Sequence, residues 1–437
     1  MSIRNGVVRW LGLTGPEWMA LLLVVFFVAF PKGGFRAGPI PITWGYILLA
    51  IAIMAALPFW LLRANFRFLP EEWFAGTSGL PFLVVIVIAI LTKGIADAGS
   101  TVQMFISFGV LPLAMVFLFP ACITRQVSLD WTLKLMRGCM FFAAVYGIFL
   151  FFYHIEEKKF IEIPFLTVNA GDAGQMESTK HIDRGGLFKL ISTYNNGNVY
   201  GVSTLILLPL YDFLEPRKWR RYLIRAALIL TLSRTVWMGM LALQFMYFLR
   251  EFFKDASAFP TLRLGRSVKS ALLLLPVGIF IGTGMAILSS RGVAGVLDPN
   301  LGGRLEQIQA LDKVRLFPFA PAQGFAEVVY TSAAVYYGLL GLVGMLWVLF
   351  LPLWLVRLKR LRQNKLGIAA WMGLMLYPVL GCIDGAMDFI PVMAFYWFAY
   401  MIFLYADVIE RRDLAHFRQP TSLLESHSDP FGVNHAP

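Results

Sequence analysis

Long apolar runs separated by short polar connections make up most of this chain. Because a helix needs about 20 residues to cross the hydrocarbon core of a bilayer, these runs predict about twelve transmembrane helices. The predicted spans are 16–31, 40–62, 79–92, 102–123, 133–154, 198–214, 222–233, 235–253, 268–288, 330–356, 366–384 and 389–408. No internal repeat divides the chain. The pattern therefore predicts an all-α, polytopic membrane protein with one integral-membrane domain over residues 1–408.

The composition favours a membrane protein over a soluble one. Hydrophobic residues make up 58% of the chain, charged residues 15%, and the mean hydropathy is +0.68, whereas about a quarter of a soluble chain is charged. The net charge is +12, but the basic residues form short clusters between apolar runs. Such clusters are typical of cytoplasmic membrane loops, so nucleic-acid binding is not expected. The three cysteines lie in apolar segments, so neither a disulfide framework nor a metal site is expected.

The distribution of Lys and Arg predicts the orientation in the membrane. Arg4 and Arg9 precede the first apolar run, and because no small-x-small cleavage site follows, that run is expected to be retained as a helix. About two thirds of the 38 basic residues fall in alternate connections, which predicts cytoplasmic N- and C-termini. Only two outside loops are then long, at about 155–197 and 289–329, and long ordered loops usually carry function. The polar tail, 409–437, is expected to be disordered in the cytoplasm.

Arg234 interrupts the apolar run from 222 to 248, in Leu230-Thr-Leu-Ser-Arg234-Thr-Val-Trp. A cation at the centre of a transmembrane helix costs about 2.5–3.5 kcal/mol unless it reaches an interface, a cavity or an anion. Two interpretations of Arg234 stay open, because the span before it is short. Either the side chain reaches the outer membrane interface, or its guanidinium binds a pyrophosphate in a bidentate manner.

The first long loop carries polar residues in Lys180-His-Ile-Asp-Arg184-Gly-Gly and in Ser192-Thr-Tyr-Asn195-Asn-Gly-Asn198. One interpretation is a structural loop that turns at its glycines and asparagines and caps the sixth helix. The other is a binding site, in which Arg184 contacts a phosphate and the amides of Asn195 and Asn198 contact sugar hydroxyls.

The second long loop contains Arg291, then Gly302-Gly-Arg304-Leu-Glu306, and it ends near Glu327. Apolar and charged positions between 304 and 313 predict a short interfacial helix on the outer leaflet. Arg291 and Arg304 fall on the same side of the membrane as Arg234. Glu327 either caps the positive N-terminus of the tenth span or acts as a general base.

Asp384 and Asp388 bracket the last outside turn. If that turn is α-helical, their i,i+4 spacing aligns them on one face, where they pair with an arginine or supply an alternative base. A solvated turn explains the two carboxylates equally well.

In their order along the chain, these motifs resemble the O-antigen polymerase and ligase superfamily of bacterial inner-membrane glycosyltransferases. The common features are Leu-Ser-Arg-x-x-Trp at Arg234, the segment from Arg184 to Asn198, and the Gly-Arg…Pro-x-x-Gly loop before Gly338-Leu-Leu-Gly341. The resemblance covers about residues 184–344 and the overall topology. It implies that a glycan carried on polyprenyl pyrophosphate is joined to an acceptor on the periplasmic face, without a metal or other cofactor.

The resemblance also implies roles for individual residues. Arg184, Arg234 and Arg304 would neutralise the departing pyrophosphate. Ligases of the family have a histidine near the position of Glu327, and no histidine lies nearby in this chain. This difference favours a polymerase of O-antigen, capsule or exopolysaccharide, with Glu327 as the base. The expected partners are the lipid-linked oligosaccharide, the bilayer and a chain-length regulator protein.

Other functional classes stay open. A ligase that transfers the glycan to lipid A core or to protein shares the same motifs. A flippase of lipid-linked oligosaccharides should show repeated halves and matching interrupted helices, and the sequence shows neither. A metal-dependent glycosyltransferase of the dolichol type needs acidic residues in the first outer loop, and Lys32-Gly-Gly-Phe-Arg-Ala-Gly-Pro39 has none.

Overall fold

The computed structural model describes residues 15–37, 40–62, 70–123, 126–174, 188–256, 304–326, 328–355, 364–382 and 384–418. The protein is mostly helical. Within the described residues, five helices are long and apolar enough to cross a membrane, namely Pro70–Lys93, Ala98–Phe119, Trp131–Glu157, Val329–Phe350 and Ile390–Ile409. Large apolar side chains on their surfaces are exposed, such as Leu91 (79%) and Val343 (61%), which suits contact with lipid. The helical fold is therefore confirmed and is consistent with a membrane-spanning protein, whereas the total of twelve spans and the two long outer loops stay predictions.

The secondary structure follows the predicted order of spans. The helices are α1 (Gly15–Val24), α2 (Trp44–Leu62), α3 (Pro70–Thr77), α4 (Leu80–Lys93), α5 (Ala98–Phe105), α6 (Leu111–Ile123), α7 (Gln126–Glu157), α8 (Gly197–Leu214), α9 (Lys218–Leu230), α10 (Arg234–Ala256), α11 (Arg304–Gln309), α12 (Val329–Leu355), α13 (Lys365–Leu380) and α14 (Ile390–Arg418). The strands are β1 (Gly34–Ala37) and β2 (Ile40–Thr43). Short helical turns lie at Val25–Ala29, Ile106–Val110, Ala170–Asp172, Ser192–Tyr194, Ala310–Lys313 and Gly385–Asp388. The predicted span 268–288 lies outside the described residues.

A short β-hairpin corrects the predicted start of the second span, within an otherwise helical structure. Strand β1 pairs antiparallel with β2, with Gly34 opposite Thr43 and Ala37 opposite Ile40. Residues 40–43, which were predicted to begin the second span, favour extended backbone because they contain β-branched side chains around Pro41. Helix α2 begins only at Trp44, whose indole nitrogen donates to the Phe165 carbonyl at 2.6 Å.

The third span begins at Pro70, earlier than the predicted residue 79. Proline suits the first helical position, and the carboxylates of Glu71 and Glu72 suit the positive helix N-terminus. At Gly79 the chain passes from α3 into α4 against the Phe108 carbonyl, where a Cβ atom would overlap that oxygen.

Helix α14 also differs from the prediction, because it continues to Arg418. The segment 409–418 was expected to be disordered, but it contains several strong helix formers, among them Ala, Leu, Glu and Arg. These residues extend the last membrane helix beyond its apolar part. Residues 419–437 lie outside the described residues.

Helix α8 is the central helix of the bundle. It is buried from Val199 to Tyr211 and packs against α10, α13 and α14. A helix that is apolar around most of its circumference has no face suited to water, which explains the central position. Small residues allow the close contacts: a Cβ atom at Gly373 of α13 would overlap the Ile206 carbonyl of α8.

Helix α12 is interrupted at Gly338, which has a φ of 73°. The amide groups of Leu339 and Leu340 donate to the carbonyls of Arg315 and Leu316, at 2.8 and 3.2 Å. The loop before α12 therefore packs beside the helix and satisfies the donors that the interruption leaves free. Glycine suits this position because its φ is positive and because a Cβ atom would lie 2.7 Å from the Leu316 carbonyl oxygen.

Several connections meet at one end of the bundle, which we call the hairpin end because β1 and β2 lie there. Gly34 forms a bridge with Asn169. The other contacts are the hydrogen bonds Ala96 N–Ala322 O, Leu190 N–Leu230 O and Val329 N–Gly381 O. The opposite end, which carries Asp212, Arg225, Arg250 and Lys365, is called the basic end.

The orientation predicted from the sequence, with the hairpin end outside, can be tested with Cys382, which is exposed at the hairpin end just after α13. In a variant in which Cys122 and Cys139 are serine, a membrane-impermeant maleimide should label Cys382 in intact spheroplasts. Because burial raises the pKa of the Cys382 thiol, the reaction should be run at about pH 8.5, where a larger thiolate fraction reacts. Replacing Cys382 with serine as well should remove the label. Labelling that requires lysed spheroplasts would mean that the hairpin end faces the cytoplasm.

Candidate functional site

Two of the predicted site residues, Asn198 and Asp384, meet at the hairpin end. The Asn198 side-chain nitrogen donates to Asp384 Oδ2 at 3.0 Å, although the two residues are 186 positions apart. Asp384 Oδ1 accepts from the backbone nitrogen of Ala386 at 2.8 Å, and Asp384 is only 3% exposed. The carboxylate therefore ties the first turn of α8 to the turn Gly385–Asp388.

The side-chain oxygen of Asn198 is available as a hydrogen-bond acceptor. Asn198 Oδ1 is buried and has no hydrogen-bond partner among the described residues. Its backbone nitrogen is already satisfied, because Asn196 caps α8 and accepts from Asn198 N at 2.9 Å. Buried polar atoms usually have partners, so Asn198 Oδ1 suits a hydroxyl group of a ligand.

The second long loop joins the same cluster. The backbone nitrogen of Val328 donates to Gln307 Oε1 at 2.8 Å, which ties α11 to the start of α12. Gly385 packs so closely on the Ala326 carbonyl that a Cβ atom would overlap it. Helix α11 begins at Arg304 and is followed by the 3-10 turn Ala310–Lys313, so the segment 304–313 is helical as predicted, while its place at the outer leaflet stays a prediction.

Arg234 is the first residue of α10 rather than the end of the preceding span. The break before it contains Leu232, whose φ is 49°. The side chain of Arg234 is exposed, and no hydrogen bond or ion pair joins it to the described part of the chain. A cation is disfavoured at the positive N-terminus of a helix, so this position is stabilised when an anion binds to Arg234 and to the free amide groups together.

Packing contacts bring Arg234 near Asn198. A Cβ atom at Gly197 would lie 3.4 Å from the Thr231 carbonyl, and Gly201 packs directly against Val236. The first turn of α8 therefore runs beside the break and the start of α10. Arg234 and the Asn198–Asp384 pair belong to one region of the hairpin end.

The remaining predicted site residues either make other contacts or lie outside the described residues. Asn195 is buried in left-handed conformation, and its amide donates to the Thr167 carbonyl at 3.0 Å, which holds the long loop in place. Asp388 ends a 3-10 turn, so the i,i+4 alignment expected for an α-helix does not apply. Binding of sugar by these residues stays a prediction. Arg184, Arg291 and Glu327 lie outside the described residues.

The sequence reasoning missed Lys32, which lies in the connection before β1. Its ammonium group lies 5.5 Å from the centre of the Phe389 ring, directly after the turn that carries Asp384. It also missed the ion pair between Arg36 and Asp172, at 2.7 Å, which ties the hairpin to the first long loop. The sequence signal that could have found both contacts was the occurrence of two basic residues, Lys32 and Arg36, in an otherwise apolar connection.

Strained backbone is concentrated at this end. Each non-glycine residue in the left-handed region costs about 1–3 kcal/mol, and such residues often occur at functional sites. Among the described residues, those with positive φ all lie in hairpin-end connections: Lys158, Phe165, Ser192, Asn195 and Leu232. The strain coincides with the region that contains Arg234 and Asn198.

This region combines a free guanidinium, a lysine and an amide with an unused acceptor. It can bind a ligand that carries both a strong negative charge and hydroxyl groups. Comparisons with protein-family models, with curated proteins and with solved structures find no match for this chain, so its function is inferred from this geometry and from the motifs.

Proposed function

We propose that the protein polymerises polyprenyl-pyrophosphate-linked oligosaccharide repeat units at the hairpin end. This end would face the periplasm, with the bundle in the bacterial inner membrane. The growing glycan would leave its pyrophosphate carrier as it is transferred to a hydroxyl group of the next lipid-linked unit. The carrier supplies an activated leaving group, so the protein has to position both substrates and stabilise the developing charge.

Arg234 is the observation that carries the proposal. Its guanidinium is exposed, it starts a helix whose N-terminus favours anions, and it pairs with no described residue. A pyrophosphate offers several oxygens for bidentate contact. Its negative charge increases as the glycosidic bond breaks, so the contact would strengthen in the transition state. Arg304, the first residue of α11, and Arg184 are proposed to assist it.

The acceptor side of the reaction is proposed to lie near Asn198 and Glu327. Asn198 Oδ1 offers a hydrogen-bond acceptor for a sugar hydroxyl. The Asp384 carboxylate already accepts two hydrogen bonds, which suits a positioning role better than that of a base. Glu327 is therefore proposed as the base that removes the proton of the attacking hydroxyl group.

The test is to incubate the purified protein with a lipid-linked repeat unit in buffer that contains EDTA. We expect a ladder of products that differ by one repeat unit, because the proposed reaction needs no metal. Addition of lipid A core should leave the ladder unchanged if the acceptor is another repeat unit.

Other outcomes would identify the competing functions. A single product that appears only with lipid A core or a protein acceptor would support a ligase. Movement of unmodified substrate across liposomes, without any longer product, would support a flippase and contradict the proposal.

A further inference from the structure

A cavity of about 410 Å³ lies at the basic end, between α8, α9, α10 and α13. Among the described residues, four cationic side chains line it, together with a single carboxylate, that of Asp212. The cations are Arg221, Arg225, Arg250 and Lys365. The cavity is remote from the site at the hairpin end, because Asp212 and Asn198 are about 21 Å apart along α8 at 1.5 Å per residue.

The internal contacts of the cavity leave most of its positive charge unused. Arg225 forms an ion pair with Asp212 Oδ2, and the Tyr247 hydroxyl donates to the same oxygen at 3.2 Å. The Arg221 side chain donates to the Pro216 carbonyl at 3.5 Å, and the Arg221 carbonyl accepts from Arg225 at 3.3 Å. The Nε atoms of Arg221 and Arg250 are buried and have no partner in the described part of the chain. These are donors suited to a bound anion.

A helix terminus adds to the positive potential. Lys365 is the first residue of α13, whose N-cap is Asn364. The N-terminus of a helix is itself positive, and a lysine there is unfavourable without a counter-charge. General enrichment of cytoplasmic loops in basic residues explains exposed charges, but it does not explain why three arginines and a lysine line one cavity.

The surroundings place the cavity at a membrane surface. Phe213 lines it and is 47% exposed, and Trp219 and Tyr222 on the adjacent helix α9 are 54% and 67% exposed. Trp and Tyr are enriched where a membrane protein meets the headgroup region. Basic pockets between membrane helices bind phosphate-containing headgroups.

We propose that this cavity binds a phosphate group, supplied by an anionic phospholipid headgroup or by free phosphate. Arg221 and Arg250 contact the phosphate oxygens through their guanidinium groups. Lys365 adds charge at the mouth of the cavity. Arg225 is held by its ion pair with Asp212, which Tyr247 also contacts, and it forms one fixed side of the cavity. The interaction is independent of the reaction at the hairpin end.

The test compares lipid binding to two double variants of the full-length protein in neutral detergent. Arg221→Gln/Arg250→Gln removes two cations from the cavity. Arg217→Gln/Lys218→Gln removes two exposed cations beside it, so the change in net charge is matched. Native mass spectrometry measures binding of phosphatidylglycerol and phosphatidylcholine, and thermal unfolding measures binding of inorganic phosphate.

We expect phosphatidylglycerol to bind more tightly than phosphatidylcholine, with the affinity lowered on the order of tenfold in the cavity variant but not in the matched variant. Displacement by inorganic phosphate would identify free phosphate as a ligand, and its failure would identify the lipid headgroup. An equal loss of phosphatidylglycerol affinity in both variants would overturn the proposal. So would an unmodified protein that neither prefers phosphatidylglycerol to phosphatidylcholine nor binds inorganic phosphate. If the cavity variant does not fold, Lys365→Gln, at an exposed side chain, is compared with Lys218→Gln, so the change in charge is again matched.

Discussion

Replacement of Arg234 with alanine is expected to lower the rate of repeat-unit addition by about 10²–10³-fold, the range seen when one donor to a developing negative charge is removed. The side chain is exposed at the start of α10 and pairs with no described residue, so its loss should leave the fold intact. The measurement is the initial rate of ladder formation by purified protein. Arg304→Ala is expected to act in the same direction.

Two further variants separate the role of Arg234 from a general effect of charge. Arg217 is also exposed and also lies at the start of a helix, α9, but at the basic end. The Arg217→Ala protein should therefore add repeat units at the normal rate. Arg234→Lys should fall between the alanine variant and the unmodified protein, because lysine keeps the charge but not the bidentate geometry. Normal chain growth by both Arg234→Ala and Arg304→Ala would show that neither arginine binds the pyrophosphate.

Replacement of Gly373 with alanine is expected to destabilise the protein by about 1–3 kcal/mol, the usual range for overpacking a tight core contact. The added Cβ atom would overlap the Ile206 carbonyl oxygen. A backbone atom cannot rotate away as a flexible side chain can, so α8 and α13 have to separate. The change should appear as a lower midpoint of thermal unfolding in detergent.

Gly138 provides the matched control for Gly373. It also lies within a helix, α7, but a Cβ atom there would meet no atom within 4 Å. Alanine has the higher helix propensity, so Gly138→Ala should leave the midpoint unchanged or raise it slightly. A Gly373→Ala protein that unfolds at the same temperature as Gly138→Ala would show that α8 and α13 are not in close contact.

The sequence identifies individual membrane helices well because hydrophobicity is a local property. The run around Trp397 predicts α14, and the run around Val348 predicts α12, without knowledge of their neighbours. The hairpin was missed because length and hydrophobicity alone included residues 40–43 in a span. The alternation around Pro41 carried the signal for a strand.

The candidate site was predicted only as separate residues. Arg234 could be singled out because a cation in an apolar run is unfavourable. Asn198 and Asp384 could be named as polar residues near helix ends, but not as a pair. Their contact depends on how α8 packs against α13 and α14, and no pattern within either segment encodes that packing. The cavity at the basic end was missed for the same reason, since its cations come from three helices.

The sequence by itself determined that this is a helical membrane protein, where most of its helices lie, and which arginine is misplaced in an apolar run. These properties follow from the transfer of local segments between water and lipid. Only the tertiary structure decided that Arg234 starts a helix beside Asn198, that Asp384 ties α8 to the final turn, and that four cations surround a cavity at the other end. Such arrangements depend on the packing of distant segments through small contacts, such as that of Gly373 on Ile206, which the order of residues alone does not reveal.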